Sequence, residues 1–172
     1  MCVADYEFPW NELVTAFKFQ GRPELAACLA PPLATAIRSA LEGGRCTLPD
    51  LVAAVPLSNK GLAERGYNQA WELARAVART LHLAVSESAL LRPLSSAHQI
   101  DLGRAERQRN LRSAFMVDPL QRALIKDRTV ALVDDVMTTG ATAQAATEAL
   151  LRSGAAAVDI WVVARTPEPP KE

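Results

Sequence analysis

The chain has 172 residues, 49% of them apolar, and its 19 basic and 19 acidic side chains cancel to a formal net charge of zero. That suffices for one domain with a full core, and the even balance argues against a general nucleic-acid or acidic-membrane binder, which carries a basic excess. No apolar stretch reaches membrane-spanning length, and the opening MCVADYEFPW lacks the basic and apolar zones of a signal peptide, so a cytoplasmic location without membrane insertion is expected.

Pro9 followed by Trp10, Leu13, Val14 and Phe17 has helix-start chemistry and helical spacing. Pro23 opens a second helical stretch through Leu25 and Leu29. Pro31 and Pro32 predict a kink or restart before Leu33, Ile37 and Leu41, and Gly43-Gly44 ends the run. This front part shows no strand signal, so residues 1–50 are expected to be a helical segment covering a core over 51–166, with 167–172 as a tail.

Residues 51–55 read as the first core strand, ended by Pro56, and residues 57–68 as a polar loop holding Lys60 and Arg65. Asn68 is a helix cap, and Ala70, Leu73, Ala74, Val77, Ala78 and Leu81 share one helical face. That helix predicts a crossover to a short strand near 89–92, parallel to the first. His82 ends it, where a cation suits the helix dipole. Residues 93–111 show no core pattern; strands are expected again at 113–117, 130–134 and 156–164. Cys2, Cys28 and Cys46 form neither a disulfide set nor a C-x-x-C clip, and neither His82 nor His98 has a partner at ligand spacing, so no protein metal cage is read.

The chemistry concentrates in residues 130–142, VALVDDVMTTGAT. Four apolar residues suit a buried strand of a parallel sheet, Asp134 and Asp135 follow, and a Thr-Thr-Gly turn leads into a helix over 141–151 with Ala145, Ala146, Ala149 and Leu150 on one face. Open sheets bind ligands between such a strand and helix. Amides of Thr138, Thr139, Gly140, Ala141 and Thr142, helped by the helix dipole, are suited to a phosphate dianion, and the carboxylates to hydroxyls or a metal. An Asp-Asp pair alone is explained as well by a strand end and helix cap; all thirteen positions together are not. No G-x-x-x-x-G-K-[ST] occurs, since Tyr67 stands where lysine is required after Gly61 and Gly66, and no G-x-G-x-x-G is present.

The order of apolar run, Asp-Asp, two apolar residues and Thr-Thr-Gly-x-Thr resembles the phosphoribosyl pyrophosphate (PRPP) signature of the type I phosphoribosyltransferases. Residues 6–21 (YEFPWNELVTAFKFQG), 55–74 (VPLSNKGLAERGYNQAWELA) and 98–115 (HQIDLGRAERQRNLRSAF) are similar to the ComF family, which includes competence protein F and GntX-type proteins. ComF proteins usually begin with a cysteine-rich zinc ribbon. Cys2 is the only cysteine near the start here, so that ribbon's metal binding does not transfer.

The resemblance implies an α/β fold, a type I phosphoribosyltransferase-like parallel sheet flanked by helices, with a mainly helical hood from the front segment. It implies a pyrophosphate loop at Leu57, Ser58, Asn59 and Lys60, with Arg65 beside it, and a mobile loop over 93–111 bearing Arg104 and Arg107. Solvated loop charges explain Lys60 and Arg65 equally well. An amphipathic helix with a solvated face also fits Arg104, Arg107 and Arg109, and Gln99 and Asn110 are candidates for ordering that loop. By the same resemblance Asp134 and Asp135 hold the ribose hydroxyls, directly or through Mg2+, and PRPP is the partner of the site. A phosphoribosyltransferase acting on an unidentified base or amine is the first expectation. The alternative is a non-catalytic accessory or PRPP-sensing protein of the DNA-uptake machinery. Direct nucleic-acid binding through the arginines between 92 and 112 is not expected, because Phe115 is the only aromatic nearby.

Overall fold

Residues 1–93 and 114–167 are described by a computed structural model. They form strands β1 (Cys2–Asp5), β2 (Leu51–Ala54), β3 (Val85–Ser86), β4 (Leu90–Leu91), β5 (Met116–Val117), β6 (Thr129–Met137) and β7 (Ala157–Arg165). The helices are α1 (Trp10–Phe19), α2 (Ala26–Glu42), α3 (Asn59–Arg65), α4 (Gln69–Leu81), α5 (Arg122–Ile125) and α6 (Ala141–Arg152). Arg104, Arg107, Arg109, Gln99 and Asn110, assigned to a mobile loop, lie outside the described residues, as does the tail beyond 167.

Five strands make one parallel sheet in the order β1-β7-β6-β2-β3. Its centre is apolar on both faces: Val130, Ala131, Leu132 and Val133 of β6 and Leu51, Val52, Ala53 and Ala54 of β2 are buried. Parallel strands need such runs because helices cover both faces. From β2 the chain crosses through α4 to β3 on one side; from β6 it crosses through α6 to β7 on the other. Right-handed crossovers running in opposite directions put α4 and α6 on opposite faces. α2 packs along α4, and α6 packs on β6 and β7. Phe17, Leu33, Ile37, Leu73, Leu132 and Leu150 are among the fully buried side chains of the core, each stabilising by about 1.5–3 kcal/mol relative to exposure.

Several expectations need correction. The front segment does contain a strand, β1, paired in parallel with β7 at Cys2↔Val162 and Ala4↔Ala164. Four residues are too few to show a period, and their strand character comes from a partner far along the chain. α2 runs through Pro31 and Pro32 without a break. The carbonyls those prolines cannot serve belong to exposed Ala27 and Cys28, where water is available, while Leu29, Ala30, Leu33, Ala34 and Ile37 anchor the opposite side. The parallel neighbour of β2 is Val85–Ser86, whereas Leu90–Leu91 pairs antiparallel with Met116–Val117 in a separate ribbon. The polar stretch 57–68 is also not all loop, since it holds α3. Ser58 caps α3 by accepting from the Gly61 amide at 3.1 Å, and Gly66 ends it at φ +79°. With no buried residue, α3 offers no apolar stripe to read.

Candidate functional site

The sheet changes direction between β2 and β6, the topological switch point at which open α/β sheets hold ligands beyond the carboxyl ends of their strands. These ends are adjacent, with Ala54 paired to Val133 and the Val55 amide donating to the Val133 carbonyl at 3.0 Å. The connection from β2 into α3 and the turn from β6 into α6 therefore leave the sheet side by side.

The β6 strand is longer than expected. It runs past both acids to Met137, because β7 continues beside it through Asp134↔Val162, Val136↔Ala164 and Met137↔Arg165. Turn residues 138–140 follow, and Gly140 at φ +76° precedes α6 with no side-chain hydrogen bond capping the helix. A glycine takes that left-handed conformation without strain. Only a long 3.4 Å contact links the Ala141 amide to the Thr139 hydroxyl. Asp134, Thr138, Gly140, Ala141 and Thr142 line one cleft together with Val136, Met137 and Val162. Residues of the turn and of the first turn of α6 thus share one opening with Asp134.

Consecutive strand residues point to opposite faces, and this separates the two acids. Asp134 lies on the α6 face and is half-buried, its Oδ1 accepting from the Asp135 amide at 2.9 Å. Burial, and secondarily the charge of Asp135, push its carboxyl up to about 7, opposed by that amide and by Lys18. Asp135 points to the other face. It is buried against α1, where its Oδ1 accepts from the Val136 amide at 2.7 Å and lies 3.0 Å from Lys18 Nζ. The structure thus brings Asp134 to the cleft with four of the five turn residues and keeps Asp135 behind the strand.

A sequence model of the phosphoribosyl transferase domain matches residues 61–172. The chain belongs to that family. It is 37% identical over 165 residues to DNA utilization protein YhgH of Escherichia coli K12, covering 95% of this chain and 70% of that protein. To Competence protein F of Haemophilus influenzae Rd it is 32% identical over 163 residues, covering 95% and 71%. Among solved structures, the glutamine phosphoribosylpyrophosphate (PRPP) amidotransferase from B. subtilis superimposes with a TM-score of 0.54 at 16% identity, over 86% of this chain and 30% of that one. The shared feature there is the fold.

The residues expected at the pyrophosphate take separate places. Leu57 and Ser58 lead into α3, Ser58 as its cap, and Asn59 and Lys60 form its first turn. The Lys60 side chain is 86% exposed, 3.8 Å from Glu64, and Arg65 sits over the Phe19 ring at 5.0 Å. What the sequence reading missed is the bracing around them. Tyr67 donates its hydroxyl to the Phe17 carbonyl, and burial raises the pKa of that phenol. Asn68 does more than cap α4 through the Ala70 amide (3.0 Å), because its Nδ2 also donates to the Val55 carbonyl at the end of β2 (3.1 Å). Lys18 was missed as well. Its one signal was a lone cation between Phe17 and Phe19 in an apolar helix end.

Proposed function

We propose that the cleft beyond β6 binds PRPP and that the protein is a phosphoribosyltransferase-like PRPP binder, passing phosphoribosyl to a base or amine with release of pyrophosphate. The observation that carries this reading is the single opening shared by Asp134 and the uncapped 138–142 turn at the switch point of the sheet. Amides and hydroxyls of the turn would take the 5′-phosphate, each charged hydrogen bond contributing about 1.5–3 kcal/mol. The Asp134 carboxylate would take ribose hydroxyls and stabilise positive character on the ring as pyrophosphate departs. Lys60, exposed on the neighbouring connection, is free to approach the leaving group.

A Mg2+ ion fits this donor set. Among the described residues no cluster of three or more His, Cys, Asp or Glu side chains forms a metal cage, and Mg2+ binds through one or two carboxylates together with substrate phosphates. Asp134 is the residue that would hold it, since it is the carboxylate that lines the cleft beside the turn. When bound, the ion would neutralise phosphate charge.

Calorimetry with PRPP and Mg2+ tests the reading. The wild type should bind, and Asp134→Asn should weaken binding by at least about 100-fold through loss of the charged partner; equal affinity of the two proteins would reject the site. A second reading draws on the relatives named for DNA utilization and competence: a PRPP-sensing accessory of DNA uptake that keeps the site without turnover. Pyrophosphate release across a panel of bases and amines separates the two, because tight PRPP binding with no release favours the accessory role.

A further inference from the structure

The last turn of α1 ends in Phe17, Lys18 and Phe19, and each is tied to a different part of the site. The Phe17 carbonyl accepts from the Tyr67 hydroxyl, and the two rings lie 6.0 Å apart, tilted at 48°. Phe19 carries the Arg65 guanidinium of α3 on its ring. Lys18 reaches the acid pair at Asp135. One helix end therefore touches both the connection leaving β2 and the strand entering the phosphate turn.

The Lys18 contact differs from the ion pairs on the surface. Its side chain is 20% exposed and that of Asp135 3%, whereas both partners of Arg22–Glu24 and of Lys60–Glu64 are more than half exposed. Asp135 Oδ2 is buried without a hydrogen-bond partner among the described residues, so Lys18 is the charge that makes burial of this carboxylate tolerable. The acids alternate across β6. Any twist of the strand end that lets Asp135 leave its seat also swings Asp134 out of the cleft.

We propose that Lys18 is a positioning residue of the phosphoribosyl site, pinning Asp135 behind β6 so that Asp134 and the 138–142 turn face the ligand, with α1 as the strut joining that strand end to the 57–68 connection. The inference rests on the PRPP reading for its ligand and on the ion pair for its geometry. Lys18 touches no ligand in this role. It acts through Asp135 and the backbone that Asp135 shares with Asp134.

Four proteins decide it: wild type, Lys18→Met, Lys18→Arg, and Lys18→Met combined with Asp135→Asn. Thermal midpoint, PRPP affinity by calorimetry, and amide hydrogen exchange over residues 136–142 without ligand are measured on each. Lys18→Met should lower the midpoint and weaken PRPP roughly 10–100-fold, the usual effect of removing a residue that orients a ligand-holding group. Lys18→Arg should recover most of that lost affinity. The double variant should regain the midpoint, because no unpaired charge stays buried, yet remain at least about tenfold weaker for PRPP, with faster exchange over 136–142 than the wild type. Should affinity and exchange protection return together with the midpoint, Lys18 is only a counter-ion and the proposal is overturned. A wild type that binds no PRPP would defeat the functional reading alone, and the ligand-free exchange comparison would still settle the role of Lys18. If Lys18→Met does not fold, the double variant carries the decision.

Discussion

The two connections that leave the sheet at its switch point are neighbours, and they treat their helix ends in opposite ways. After β2, Ser58 fills the cap of a seven-residue helix with its own hydroxyl, and the nearest cation, Lys60, points to solvent beside Glu64. After β6, Gly140 offers no side chain, so the first turn of a twelve-residue helix stays open toward Asp134. Position in the fold alone does not leave a helix start open. A cap residue without a side chain does.

The sharpest way to break this contrast uses the two glycines at nearly the same backbone setting, Gly140 at φ +76° and Gly66 at φ +79°. An alanine at either is strained, costing about 1–2 kcal/mol in a urea titration. Only Gly140→Ala should also weaken ribose 5-phosphate, by roughly tenfold or more as the amides shift; equal losses from both variants would erase the distinction. Next in size is a pH effect. The Asp134 carboxyl is raised from 3.8 to about 7 in the folded protein, so its contribution to stability is complete below about pH 4 and is lost as pH rises through about 7. The ligand-free melting temperature should fall over that window in wild type relative to Asp134→Asn, and Mg2+ near pH 8 should restore it in wild type only. A matching pH profile in the two proteins would remove Asp134 from the account. The smallest effect is expected at Lys60. Lys60→Ala should change stability by less than about 0.5 kcal/mol, as for an exposed pair, while making PRPP binding weaker and less salt-sensitive.

The parts legible in the sequence were those whose cause is local. The apolar run at 130–133, the alanine face of α6 and the Asn68 cap each follow from neighbouring residues, and with the family resemblance they pointed to the parallel sheet flanked by helices. What escaped depends on distant partners. β1 is a strand because β7 lies beside it, and β6 passes Asp134 because β7 keeps pairing with it. Ending the strand at Asp134 hid the alternation that sends Asp135 to the other face, and with it the reason for a lysine between two phenylalanines. Tyr67 and Asn68 stood in a quoted motif, but nothing in their spacing shows that they reach the Phe17 and Val55 carbonyls.

The flanks of the five-stranded sheet carry a last consequence. One border is β3, two residues long, and the other is β1, four residues long with Asp5 at its exposed end. Among the described residues, borders this short give a second molecule few free main-chain groups to copy, which is how natural proteins keep open sheets from growing sideways into fibres. Lengthening β3 by a few β-branched residues would remove that safeguard while leaving the cleft beside Asp134 untouched.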